Sequence, residues 1–253
     1  MTKIIAIANQ KGGVAKTTTT HNLARGLKGN VLVIDYDAQR NLSKTRFKVN
    51  NVDSYNYTII DLLNQKYDHY RVYQDSISKV DLIVGSVFLN EENYTKFSLK
   101  ETLENLKKAT NYDFILIDCP PKPMDKNINT LNEMAFIAAD YIISPLIPDE
   151  DSVEGLDDLI NHYIRIKENY NPNLELIGFF FNVVEINTKR FIKYHKVLTD
   201  KIDDYYLRSF IRKDEAIHEA KAKGRTVIDY APKSRASLDY KKLVKEINKR
   251  IKT

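Results

Sequence analysis

The segment Asn9-Gln10-Lys11-Gly12-Gly13-Val14-Ala15-Lys16-Thr17-Thr18 constrains this chain most, because it sets a glycine turn and a lysine between an apolar strand and a helix. Lys3 to Ala8 has the length and composition of a strand buried on both faces, and Thr17 to Leu27 reads as the helix that follows. Strand, turn and helix in that order build a cradle for anionic oxygens. Gly12 and Gly13 let backbone N–H groups approach them, and the helix start adds its partial positive charge. Lys16 supplies a point charge for β- and γ-phosphates, Thr17 a hydroxyl for Mg²⁺, and Thr18 a donor to an α-phosphate. The run Thr17 to Thr20 is poor helix interior by propensity, which favours a ligand-related role over a plain turn beside a basic surface.

The strict phosphate-loop pattern needs glycine immediately before the Lys-Thr pair and again five residues earlier, but position 15 is Ala and position 10 is Gln. The segment matches the variant Lys-Gly-Gly-x-x-Lys-Thr, and on it the chain resembles the ParA/MinD/nitrogenase-iron-protein family of dimeric ATPases. The resemblance implies an α/β fold, a doubly wound and mostly parallel sheet flanked by helices, with ATP and Mg²⁺ as cofactors. It implies nucleotide contacts along Lys11, Gly12, Gly13, Val14, Ala15, Lys16, Thr17 and Thr18, and a Lys11 that reaches the partner's nucleotide across a dimer interface. Relatives carry Gly where this chain has Ala15, and a positive φ there would cost alanine about 1–2 kcal/mol.

Two further strands end in carboxylates. Val31 to Ile34 leads into Asp35-Tyr36-Asp37-Ala38-Gln39, and Phe114 to Ile117 leads into Asp118-Cys119-Pro120-Pro121. The carboxyl ends of parallel strands are where α/β sheets bind ligands, and an Asp at a strand tip suits a Mg²⁺-associated carboxylate. An Asp ending a strand is equally a turn residue when taken alone. By resemblance to ParA, where the motif is Asp-x-Asp-Pro-Gln, Asp37 orients the attacking water and Asp118 holds Mg²⁺ through its water shell. Ala38 replaces the family's Pro.

Further strand-like runs at Val80–Val84, Tyr141–Ser144 and Leu174–Phe181 alternate with helical patterns at Ser98–Ala109, Asn127–Ala138 and Val153–Asn169. That alternation predicts a mostly parallel sheet in one domain spanning 1–253, with no linker composition and no internal repeat. Between Ser43 and Asp75 only a helix near Ile59–Gln65 is placed. The single cysteine, Cys119, excludes a disulfide framework and the iron–sulfur branches of the family. Met1 runs straight into the first strand, so a cytoplasmic protein is expected, without the helix-turn-helix that longer plasmid ParA proteins carry ahead of the ATPase. This is the pattern of the short, Soj-type ParA.

Charge is unevenly placed. Residues 186–253 hold 19 Lys and Arg against 9 Asp and Glu, whereas 1–185 hold 20 against 25. A nucleotide site accounts for two lysines, so the C-terminal excess points to a polyanionic partner. The candidates for contact with non-specific double-stranded DNA are Lys189, Arg190, Arg212, Lys213, Lys221, Lys223, Arg225, Lys233 and Arg235. Many fall near turns, which suits phosphate contact without base readout. The alternative is a solvated face paired with Asp203, Asp204, Asp214 and Glu215. In the Soj-like family such residues act across an ATP homodimer, hydrolysis is stimulated by a ParB-like centromere-binding activator, and the protein is nucleoid-associated.

The last helix carries an apolar stripe of Tyr240, Leu243, Val244, Ile247 and Ile251 opposite Lys241, Lys242, Lys245, Lys249, Arg250 and Lys252. A basic amphipathic helix can lie on anionic membrane, as in MinD-like relatives; the reading preferred here is a final crossover helix packed on the sheet. By resemblance, Asp149 approaches the partner's ribose and Asn182 recognises adenine. The whole points to an ATP-dependent DNA-partition ATPase. The alternatives are a membrane-positioning ATPase and a nucleotide-gated binding protein with negligible hydrolysis.

Overall fold

The computed structural model describes residues 1–67, 70–123, 125 and 129–251. Its strands are β1 (Lys3–Ile7), β2 (Val31–Asp35), β3 (Tyr73–Gln74), β4 (Asp81–Ile83), β5 (Phe114–Asp118), β6 (Tyr141–Leu146) and β7 (Glu175–Phe181). The helices are α1 (Lys16–Gly26), α2 (Ile59–Leu63), α3 (Ser98–Ala109), α4 (Leu131–Ala138), α5 (Glu150–Asn169), α6 (Lys189–Ile202), α7 (Glu215–Ala222), α8 (Val227–Tyr230) and α9 (Arg235–Arg250).

Among the described residues the strands form one sheet in the order β3-β4-β2-β5-β1-β6-β7, and all pairs are parallel except β3 with β4. Alternation along each strand splits the core into two layers. Ile4 and Ala6 of β1, Leu32 and Ile34 of β2, and Ile115 and Ile117 of β5 face the layer holding α2 to α6. Ile5 and Ile7, Val31 and Val33, and Leu116 face the layer holding α1 and α7 to α9. Both faces are therefore covered, which is why these strands read as unbroken apolar runs.

β6 runs two residues past the expected end, through Pro145. Its pairing with β1 stops at Ile143, so the missing proline N–H removes no bond on that side, while pairing with β7 continues to Leu146. The register of β7 shifts beside Gly178, which has φ 138° and where a Cβ would lie 2.1 Å from the carbonyl oxygen of Tyr205. Only glycine satisfies both conditions.

α4 starts at Leu131, capped by Thr130. The expected beginning at Asn127 and Ile128 lies outside the described residues, as does Lys252 of the last helix. α5 starts three residues early because Asp149 accepts from Ser152 N and so caps it at Glu150. The region after Ser43 holds a π-helical turn at Leu42–Arg46, a short 3₁₀ turn at Val52–Ser54, α2 and the two-residue β3.

The apolar stripe of α9 is core: Tyr240, Leu243, Val244, Ile247 and Ile251 are all buried. A Cβ on Gly26 of α1 would stand 2.6 Å from Val244, which records how closely the two helices approach. Arg250 ties down the end of α9 by donating to the carbonyls of Ile177 and Asp204, both at 2.8 Å. The expectation of a crossover helix is corrected in one respect: among the described residues no strand follows α9, which closes the layer over α1 instead of linking two strands. Among those residues no helix is long and apolar enough to cross a membrane.

Candidate functional site

The loop from Ala8 to Ala15 rises from the carboxyl end of β1, and its shape is held by Asn9. The Asn9 amide donates to Ser144 Oγ and the Pro145 carbonyl, and its oxygen accepts from Lys11 N at 2.8 Å. The turn needs two left-handed residues: Gly13 at φ 80° and Ala15 at φ 68°, ψ 33°. Ala15 thus occupies the conformation glycine would supply at lower cost.

This loop and α1 line a cavity of about 350 Å³ with Asp37, Arg46 and Asn182 on other walls. Lys16 is 7% exposed, and its ammonium donates to the Lys11 carbonyl at 2.9 Å while making no ion pair among the described residues. Burial lowers its pKa, with Asp118 the main opposing influence. Val14 is fully buried and is not part of the cavity wall, so any contact it makes to a ligand is through backbone.

Beneath the loop, Asp35 and Asp118 sit opposite each other in the register of β2 and β5, both essentially buried. Burial, and then the charge of Asp35, push Asp118 up to about 7, against the hydroxyls of Thr17 and Thr20 and the charge of Lys16. Thr20 Oγ1 donates to Asp118 at 3.0 Å. Burial likewise raises Asp35 to about 6, even though its Oδ2 accepts from both Ser43 N and Ser43 Oγ; its Oδ1 has no partner. Two buried carboxyls at paired strand tips, one with an orphaned oxygen, make a local surplus of acceptors, and Asp118 is the one that meets the Thr17 hydroxyl. Among the described residues no three His, Cys, Asp or Glu side chains converge, so a metal here would draw further ligands from phosphate and water.

Asp37 is half-buried on the cavity wall, its Oδ1 accepting from Gln39 N in a local turn. Asn182 is buried; its amide donates to Thr19 Oγ1 at 3.1 Å and its oxygen accepts from Val183 N. Val183 beside it has φ 56°, a strained setting for a β-branched residue, and both line the cavity. Lys11 points away from the phosphate side. Its ammonium meets Asp149 at 2.7 Å and Asp151 at 3.1 Å, so within one chain Asp149 caps α5 and holds Lys11.

The basic candidates divide. Arg212 is clamped by Asp239 through two bonds of 2.7 Å, and Lys213 pairs with Glu185 at 2.7 Å, so the acids expected as partners are not the ones used. Asp203 pairs with Arg208 instead. Arg212, Lys213 and Lys221 rim the same cavity as the phosphate loop. Lys189 and Arg190 are exposed at the start of α6, Lys223 and half-buried Arg225 lie between α7 and α8, and Lys233 and Arg235 are exposed near the start of α9. Sequence reasoning missed Asn41, Arg46, Val183, Ile217 and His218 at this site, and named Asp214 only as a pairing acid and Thr20 only as a member of the threonine run. Only Thr20, within the threonine run, carried a signal.

Comparison with known proteins agrees with this geometry. Residues 2–176 match the AAA domain family. The chain is 31% identical to a chromosome-partitioning ATPase, Soj, of Treponema pallidum over 98% of this chain and 97% of that one. It is 31% identical to the chromosome partitioning protein ParA of Myxococcus xanthus over 98% and 88%. Among solved structures, the septum site-determining protein MinD of Pyrococcus horikoshii, complexed with Mg-ADP, superposes with a TM-score of 0.75 at 27% identity and full coverage of both chains. A putative plasmid partition protein of Borrelia burgdorferi bound to AMPPNP shares the fold, with a TM-score of 0.79 at 24% identity, covering 99% of this chain and 100% of the other. Fold and loop define a phosphate-loop NTPase of the variant, two-lysine class. Within that class, the chain belongs to the ParA/Soj family of partition ATPases.

Proposed function

We propose that this chain is an ATP-dependent DNA-partition ATPase, one domain over residues 1–253, cytoplasmic and nucleoid-associated. The observation that carries the reading is Lys16: a buried ammonium with no ion pair among the described residues, resting on a carbonyl of its own loop at the mouth of a cavity floored by the α1 N-terminus. Such a charge is stabilised when an anion enters. The residues also fit Mg²⁺, because Asp35 and Asp118 concentrate buried carboxyl oxygens at paired strand tips, one of them unpartnered, and Asp118 meets the Thr17 hydroxyl. Thr17 and Asp118 would hold the ion, which when bound neutralises phosphate charge.

The chain's own groups supply the rest. Backbone N–H groups of Gly12 to Thr17 and the Lys16 ammonium bind the phosphates, and Asn182 with the Val183 turn meets the base side. Lys11 leaves Asp149 and Asp151 to complete the site of a second copy, so two chains close face to face. Asp37 orients the attacking water only in that closed state, which makes turnover slow alone and faster with a ParB-like activator and DNA. The ATP dimer holds non-specific double-stranded DNA through Lys189, Arg190, Lys223, Arg225, Lys233 and Arg235, with Arg212, Lys213 and Lys221 freed or shared at the cavity rim, and hydrolysis releases it.

Sedimentation velocity with ATP–Mg²⁺ and ADP–Mg²⁺, beside a phosphate-release assay, tests this. Wild type should dimerise with ATP alone, and Lys16→Ala and Lys11→Ala should stay monomeric. An ATP dimer with no turnover, even with DNA and activator, would identify a nucleotide-gated binding protein instead.

A further inference from the structure

Arg46 ends the π-helical turn Leu42–Arg46, is 9% exposed and lines the phosphate-loop cavity. Arg40, the other arginine buried to this degree among the described residues, pairs with Asp53, and half-buried Arg165 and Arg212 pair with Glu133 and Asp239. Arg46 makes no ion pair among the described residues. Its Nη2 donates to Thr18 Oγ1, and its Nε has no partner at all. A buried guanidinium without a paired carboxylate is destabilising, and such a group persists where a ligand completes it.

Its position names the ligand atom. Lys16, with its ammonium at the Lys11 carbonyl and influenced by Asp118, marks the end of the cavity for terminal phosphates. Thr18 is two residues further along α1 and next to Thr19, whose hydroxyl accepts from Asn182; Asn182, Ile217 and His218 line the same cavity with groups that suit a nucleoside. Because Arg46 supplies the hydrogen on its bond to Thr18, the threonine hydroxyl keeps its own proton to donate into the cavity. The two side chains form one donor pair at the junction between nucleoside and phosphate chain.

From this geometry we infer that Arg46 is a nucleotide-binding residue of this chain, its guanidinium holding the α-phosphate together with Thr18. The inference rests on the proposed nucleotide site and adds to it a cation at the phosphate that di- and triphosphates share. Charged hydrogen bonds of this kind are stronger than neutral ones, and the planar fork suits phosphate oxygens.

Isothermal titration calorimetry with ADP–Mg²⁺ and with a non-hydrolysable ATP analogue, on wild type, Arg46→Met and Arg46→Lys, tests it. The expected result is a loss of about tenfold to a hundredfold for Arg46→Met, the same factor for both nucleotides, with Arg46→Lys in between. Unliganded Arg46→Met should melt at or above the wild-type temperature, since it removes an uncompensated buried charge. Unchanged affinity in Arg46→Met overturns the inference, and so does a loss confined to the ATP analogue, which would move the contact to the terminal phosphate. A lower unliganded melting temperature with full affinity retained in Arg46→Lys and lost in Arg46→Met still supports a charge contact; equal losses in both variants with lowered melting make Arg46 a brace for Thr18 and overturn it. Wild type that binds neither nucleotide overturns the proposed function itself.

Discussion

Replacing Ala15 by glycine isolates the strain stored in the phosphate loop. Ala15 has φ 68° and ψ 33°, just ahead of the first residue of α1. An L-residue there costs about 1–2 kcal/mol, which Ala15→Gly releases. Against that gain stands the larger conformational freedom glycine brings to the unfolded chain, about 0.4–1 kcal/mol. The methyl is only half-buried, so its removal sacrifices little apolar contact. At the midpoints of these ranges the balance is a stabilisation of about 0.8 kcal/mol, which for a chain of this size raises Tm by about 2–3 °C. Thermal denaturation of the unliganded protein measures it, with Ala15→Val as the opposing control, since a β-branched residue tolerates this region worse than alanine. If Ala15→Gly melts lower than wild type, or Ala15→Val melts as high, the loop does not hold residue 15 in the left-handed conformation and the reasoning fails.

Deleting Tyr240 to Thr253 should abolish cooperative unfolding, because Tyr240, Leu243, Val244 and Ile247 are buried against α1; a truncated protein with an intact melting transition would contradict the packing described for α9. Asp37→Ala should leave ATP-driven dimerisation intact while phosphate release falls at least tenfold, and rapid turnover in that variant removes Asp37 from its assigned place. His21 is buried beside Phe47, and burial, then the charge of Arg46, lowers its pKa to about 3. The unfolded chain therefore binds a proton that the folded one refuses between about pH 6.5 and 3, so this contribution is complete above pH 6.5 and is lost as pH falls. Urea titrations of wild type should show about 2 kcal/mol less stability at pH 5 than at pH 7 from this group. His21→Leu should show that much less loss, and an equal loss in both proteins would mean His21 is solvated.

Much of this arrangement was legible in the chain because its signals are local. The strand before the loop, the glycine pair, Lys16 and the apolar strands ending at Asp35 and Asp118 each declare themselves within a few residues, and α3 runs over the expected Ser98–Ala109 because its periodicity and Thr110 bound it. What stayed hidden depends on distant partners. β3 exists only through two residues paired with β4, and the turn at Leu42–Arg46 has no periodicity of its own. Arg46 reads as one more surface cation until α1 brings Thr18 to it. Lys11 likewise finds Asp149 at a separation of 138 residues, a pairing that no short window contains. The charge excess after residue 186 was visible as a total, but its division into pairs such as Arg212 with Asp239 and exposed cations such as Lys189 is a property of the fold.

In the proposed function, nucleotide state switches attachment to DNA. Fluorescence anisotropy with a random-sequence duplex, in ATP–Mg²⁺ and in ADP–Mg²⁺ at two salt concentrations, measures it most directly, because binding through phosphates weakens steeply as salt rises. Tight, salt-sensitive binding with ATP alone is the expected result. Equal binding in both nucleotide states, or none in either, would contradict it.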